Sequence, residues 1–126
     1  MDEYLLKWIS KADGDLKVAE HEMAVVESER VTDAICFHCQ QAIEKYLKAF
    51  LVFKNVDFGK THNLEFLREK CAQIDSDFKT LDFGDISFYA VEVRYPDNFY
   101  IPSEEEANFS IKTAKKVRQF IVNKLS

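Results

Sequence analysis

The segment from Asp33 to Lys54 limits what this chain can become more than any other. Ile35, Cys39, Ala42, Ile43, Tyr46, Leu47 and Phe50 recur at steps of mostly three and four, the signature of one helical face. Cys36, Phe37, Leu51 and Phe53 widen that face well past the stripe of an ordinary surface helix. A helix apolar over most of its circumference packs against several neighbours at once. The spacing therefore predicts a central helix with other elements around it. Its longest uninterrupted apolar run, Ala49-Phe50-Leu51-Val52-Phe53, falls far short of a membrane span.

The surrounding elements follow from the same reading. Leu5, Trp8, Ile9, Ala12, Leu16, Ala19, Met23 and Val26 form one face of a first helix. Glu27-Ser28-Glu29-Arg30 breaks it, and Thr32 or Asp33 is expected to cap the central helix. Asn55 to His62 is a connection containing Gly59, and Asn63 caps a short helix with Leu64, Leu67 and Cys71 inward. A further segment runs from Phe78 to Val93, interrupted at Gly84. Its end, Phe88 to Val93, has strand-like content, but a lone strand has no partner, so a helix is expected. Pro96 disfavours helix at the residue before it and ends the element. Ser103 and Glu106 form a capping box that opens the last helix, whose inner face is Ala107, Ile111, Ala114, Val117, Ile121 and Leu125. The expected fold is all-α, a single domain over residues 1–126. It is an up-down bundle of four main helices plus one short helix, with short connections.

With 126 residues, 47 % of them hydrophobic, the chain is long enough to bury a core without a metal or a disulfide. Only three glycines and two prolines argue against an all-β domain, which needs many turns. The net charge of −5 and the isoelectric point near 5.2 disfavour a strongly basic nucleic-acid binder, though not a local basic patch. The opening MDEYLLKWIS carries two acids and no long apolar core, unlike a secretory signal. Three cysteines without an export signal point to reduced thiols in the cytoplasm.

Four constellations of residues have the composition of chemical sites. Gly59-Lys60-Thr61 looks like the end of a phosphate-binding loop, but the first glycine of that motif would fall at Lys54 and the preceding element is a helix, not a strand. Cys36, His38 and Cys39 lack the paired spacing of a metal site, so buried, inert thiols and no metal are expected. Gln40, Gln41, Glu44, Lys45 and Lys48 are the polar residues of the central helix, either a solvated strip or a functional groove. Arg94, Tyr95, Asp97, Asn98 and Tyr100 crowd one loop, which is either a ligand-binding loop or a structural turn fixed by Pro96.

Several segments, in order, carry a resemblance. They are Trp8, Ala12, Asp15-Leu16 and Ala19; then Ala34 to Ala49 with its Gln-Gln-Ala-x-Glu-Lys core; then Thr61-His62-Asn63-Leu64; then Arg94-Tyr95-Pro96-Asp97; and finally Glu106-Ala107. As a set they resemble the HEPN family (higher eukaryotes and prokaryotes nucleotide-binding domains) over nearly the whole chain. The resemblance implies an all-α bundle that commonly dimerises, here a homodimer. It also implies a small nucleotidyltransferase as partner in a two-component, toxin–antitoxin-like pair. In other members, metal-independent ribonucleases, an Arg-x4–6-His motif binds phosphate through the Arg and takes part in acid–base cleavage through the His.

This chain departs from that motif. Counting from Arg94, the His window holds Phe99, Tyr100 and Ile101, and no His follows His62. An unperturbed Tyr, with a pKa near about 10, is a poor base at neutral pH, whereas Arg94 keeps the two-pronged donor set that suits phosphate. The expectation is a non-catalytic module that binds nucleotide or RNA, needs no cofactor and involves no membrane. Its ligand-binding candidates are Arg94, Tyr95, Asp97, Tyr100, Lys45 and His62. The alternative is a ribonuclease with a variant site in which Tyr100 or His62 replaces the missing His.

Overall fold

A computed structural model describes residues 2–90, 96 and 99–126 of the chain. Four helices carry it: α1 (Glu3–Met23), α2 (Thr32–Phe53), α3 (Leu64–Ile74) and α4 (Glu104–Leu125). Short 3-10 turns lie at Glu27–Glu29, Ser76–Thr80 and Ile86–Ala90, and no strand occurs among the described residues. The all-α bundle is the one the periodicity predicts.

Helix α2 is the centre, packing against α1, α3, α4 and the Ile86–Ala90 turn. Ile35, Cys39, Ile43, Tyr46, Leu47 and Leu51 are fully buried along it. Phe78 closes the lower core, its ring 4.5 Å from that of Phe50 and 4.9 Å from that of Phe120. The molecule exposes 7324 Å², close to the roughly 7,000 Å² of a well-packed domain of this mass.

Helix ends largely follow local chemistry. The Asn63 side chain accepts from the Phe66 N–H at 2.8 Å, and Ser103 and Glu106 form the full capping box. Helix α2 differs. Its N-cap is Val31, which gives no side-chain cap, and Thr32 instead donates its hydroxyl to the Pro102 carbonyl at 2.7 Å. That bond ties the start of α2 to the segment entering α4.

The expected helix from Phe78 to Val93 is not formed over its described part. Phe78, Leu81, Phe83, Ile86 and Tyr89 are all buried, but their steps of two and three suit tight turns rather than a 3.6-residue period. The Asp82 side chain accepts from the Gly84 N–H at 3.0 Å, a local turn that competes with helix. Gly84 has φ +53°, and a Cβ there would lie 3.0 Å from the Phe109 ring, so both backbone and packing favour glycine. The connection from α3 to α4 is consequently long and crosses α2, in place of the short one expected. Residues 91–95 lie outside the described residues.

Candidate functional site

Two polar clusters sit on either side of the Ile86–Ala90 turn. The first is built on Glu106, in the opening turn of α4. Its carboxylate accepts from the hydroxyl of Tyr100 at 2.5 Å, from the hydroxyl of Tyr89, and from the Ser103 N–H at 3.2 Å. Burial alone would raise the Glu106 pKa, but these hydrogen bonds outweigh it and hold the carboxyl below its ordinary range. The same bond from Tyr100 to Glu106 is the main cause that raises the Tyr100 phenol. Tyr89 is raised first by burial and then by Glu106. Tyr100 is therefore a committed donor, poorly suited to accept a proton at neutral pH.

A cleft of about 500 Å³ opens beside it, lined by Gly84, Asp85, Tyr89, Tyr100, Glu106 and Phe109. Its described charged groups are the carboxylates Asp85, Glu105 and Glu106. A phosphate entering here needs a cation from elsewhere, because carboxylates repel it. Phe88 packs edge-on against Tyr100, with ring centres 6.2 Å apart.

The second cluster is built on Glu44, in the middle of α2. Gln40, Glu44 and Lys48 are 0 %, 4 % and 6 % exposed, so they do not form a solvated strip. Lys48 Nζ donates to Glu44 Oε2 at 3.0 Å, while His62 Nδ1 lies 2.9 Å from Oε1. Gln40 Nε2 donates to the same Oε1 at 3.3 Å and to the His62 carbonyl at 3.0 Å. The His62 ring is exposed although its anchor is buried. With Nδ1 turned to the carboxylate, Nε2 is the ring nitrogen not engaged by Glu44.

The Ile86–Ala90 turn joins the clusters. Ser87 Oγ accepts from the Leu64 N–H at 2.8 Å, pinning the His62–Leu64 turn, while Phe88 and Tyr89 reach Tyr100 and Glu106. Two of the six sequence-derived candidates, His62 and Tyr100, are thus brought to the two flanks of one short turn. Lys45 is not with them. It faces α1, where its Nζ meets Asp15 Oδ2 at 2.5 Å beside His38 Nδ1, which is 2.9 Å from Oδ1. Arg94, Tyr95 and Asp97 lie outside the described residues.

The three thiols are all buried. Burial pushes Cys36 up to about 11 and Cys71 up to about 12, and it raises Cys39 as well. Thiols so protonated are poor nucleophiles and poor metal ligands. No group of metal-ligating side chains forms among the described residues. Gly59, at φ +71°, makes a turn between α2 and α3, with Thr61 Oγ1 accepting from the Asn63 N–H at 3.1 Å. That is not a phosphate-binding loop.

Sequence reasoning read Glu106 as a helix cap and missed its two tyrosine donors. Tyr89 and Tyr100 are 17 and 6 residues away from Glu106, separations at which no helical pattern signals contact. The polar residues of the central helix left strip and groove open, because the burial of the Glu44 network depends on the distant His62 turn.

The HEPN domain family model matches residues 5–125. No curated protein matches the chain in sequence. Among solved structures, the crystal structure of an archaeal HEPN homologue is similar in fold, with a TM-score of 0.69 at 22 % identity and full coverage of both chains. Its helical bundle, the family match over nearly its whole length and the shared architecture together show that this chain belongs to the HEPN domain family.

Proposed function

We propose that this chain is a non-catalytic HEPN module that binds nucleotide or RNA through Arg94 and acts as a homodimer beside a small nucleotidyltransferase, in a cytoplasmic two-component system. The observation that carries this reading is the state of Tyr100. It occupies the window where a cleaving member has its His, yet its hydroxyl is spent on Glu106 and its phenol is raised. A group so held cannot act as the base of a transesterification near neutral pH. The described carboxylates of the adjoining cleft offer phosphate no positive charge, so this reading gives that role to Arg94, which lies outside the described residues. Dimerisation is supported by the apolar surface around this cleft. Phe88, Phe99, Tyr100, Ile101 and Phe109 are between 43 % and 77 % exposed, a run of apolar side chains of the kind that a second copy covers.

The reading is tested by binding and by mass. Arg94→Ala should weaken RNA or nucleotide binding by about ten- to over a hundredfold, the worth of a charge-assisted contact. Arg94→Lys should weaken it too, because an ammonium lacks the planar fork. Sedimentation equilibrium at micromolar concentration should give twice the chain mass of 14.7 kDa. Unchanged binding in Arg94→Ala makes Arg94 a turn residue, and a clean monomer removes the dimer.

A second reading has its own observation. His62 is exposed, oriented by buried Glu44, and has an Nε2 that Glu44 does not engage. That is the arrangement of a histidine base, and it supports a ribonuclease with a displaced site. His62→Asn distinguishes the two, since in the second reading the wild type cleaves RNA and the variant does not, whereas in the first neither cleaves.

A further inference from the structure

One face of α1 sets exposed aromatic rings beside lysines in an otherwise acidic chain. Tyr4, Lys7, Trp8 and Lys11 follow one another at steps of three, one and three, so they share one stripe along the outside of the helix. Together with Lys45 of α2 they line a mostly apolar groove of about 450 Å³. Tyr4 is 57 % exposed, and Trp8 is half-buried with its ring set edge-on to those of Tyr4 and Phe58. Lys7 and Lys11 are exposed and form no ion pair among the described residues. Lys45 is held by Asp15, so its position is fixed and its charge partly balanced.

Aromatic rings with ammonium groups beside them, and no acid among the lining residues, recognise a flat ring that carries an anion. An aliphatic peptide gains nothing from the lysines, and a bare phosphate gains nothing from the rings. We propose that this groove binds the base and phosphate of a nucleotide unit, free or within single-stranded RNA. The base lies against Tyr4 and Trp8, and the phosphate meets Lys7 and Lys11. The groove shares no lining residue with the cleft at Tyr100 and Glu106, so it is a second contact region whose case does not depend on Arg94.

Trp8 is the single tryptophan of the chain, so its emission reports on this groove directly. The full chain is titrated with adenosine monophosphate, with oligoadenylate, with inorganic phosphate and with a polyglutamate peptide. Saturable quenching by the nucleotide and the oligonucleotide supports the proposal with a free nucleotide as sufficient ligand. Quenching by the oligonucleotide alone supports it with a strand as the ligand. In either case Tyr4→Ala should weaken the response about fivefold to over a hundredfold, the worth of one stacked base. Lys7→Gln combined with Lys11→Gln, both on the surface, should lower the salt dependence of oligonucleotide binding by about 0.7 in log–log slope for each phosphate released. No quenching, an equal response to phosphate alone, or a response to polyglutamate but not to nucleotide overturns the proposal. So does an unchanged response in both the tyrosine and the lysine variants. Arg94→Ala separates the two regions. It should leave the Trp8 response intact even where it weakens total binding, and loss of that response in Arg94→Ala would move the ligand out of this groove.

Discussion

Replacing Lys48 by Met should be far more costly than its place in a helical i, i+4 pair suggests. An exposed Glu–Lys pair at this spacing is worth only about 0.3–0.5 kcal/mol. Here the two side chains are 8 % and 5 % exposed and 3.0 Å apart, with Glu44 packed beneath the His62 turn. Removing one partner of such a pair strands the other charge, at about 3–5 kcal/mol. Two further donors, Gln40 and His62, still reach Glu44, which places Lys48→Met near the lower end, at about 3 kcal/mol. Glu44→Gln takes the counter-charge from the Lys48 ammonium, which also lies over the Phe58 ring, 5.3 Å from its centre. The double variant removes both charges and should cost less than the two single changes added together. Urea unfolding followed by circular dichroism measures all three. With a slope of about 1–3 kcal/mol per molar urea, each single change should lower the midpoint by about 1–3 M. Single losses under about 1 kcal/mol that add in the double variant would show the pair to be solvated and refute the reasoning.

Other expectations follow from the core and the Glu106 cluster. Leu47→Ala, at a fully buried position in α2, should cost about 2–5 kcal/mol in the same titration, and a loss under about 1 kcal/mol would place the wrong helix at the centre. The three buried thiols should be inert to a thiol reagent at neutral pH in the native state and react together once urea unfolds the chain. Tyr100→Phe should raise the Glu106 pKa toward its ordinary value in an NMR titration. A carboxyl held low in the fold contributes stability above its unfolded pKa and loses it as pH falls through the folded value, so the variant should forfeit part of that contribution near neutrality while differing little in strong acid.

The sequence made α2 legible because its apolar residues run round the helix, and nothing but burial on several sides accommodates that pattern. The Asn63 cap and the Ser103–Glu106 box were legible for a different reason: the donor and the acceptor are within one turn of each other. Phe78 to Ala90 was misread because its apolar residues invite a helix, while the deciding features are the Asp82–Gly84 turn and the Phe109 ring against Gly84. Glu44 and Lys48 left strip and groove open, because charged side chains ordinarily mark solvent. What buries them is the turn around His62 and the Phe58 ring, set by a connection whose path no local pattern specifies. The same limit hid the two tyrosine donors to Glu106.

A non-catalytic HEPN module binds RNA without cutting it. End-labelled single-stranded RNA, incubated with the purified wild-type protein in chelator at neutral pH, answers both halves when one aliquot is run on a denaturing gel and another on a native one. The expected result is a shifted band on the native gel and full-length RNA on the denaturing gel, with the shift weakened in Arg94→Ala. Shortened RNA that disappears in Tyr100→Phe or in His62→Asn would contradict it and establish a nuclease.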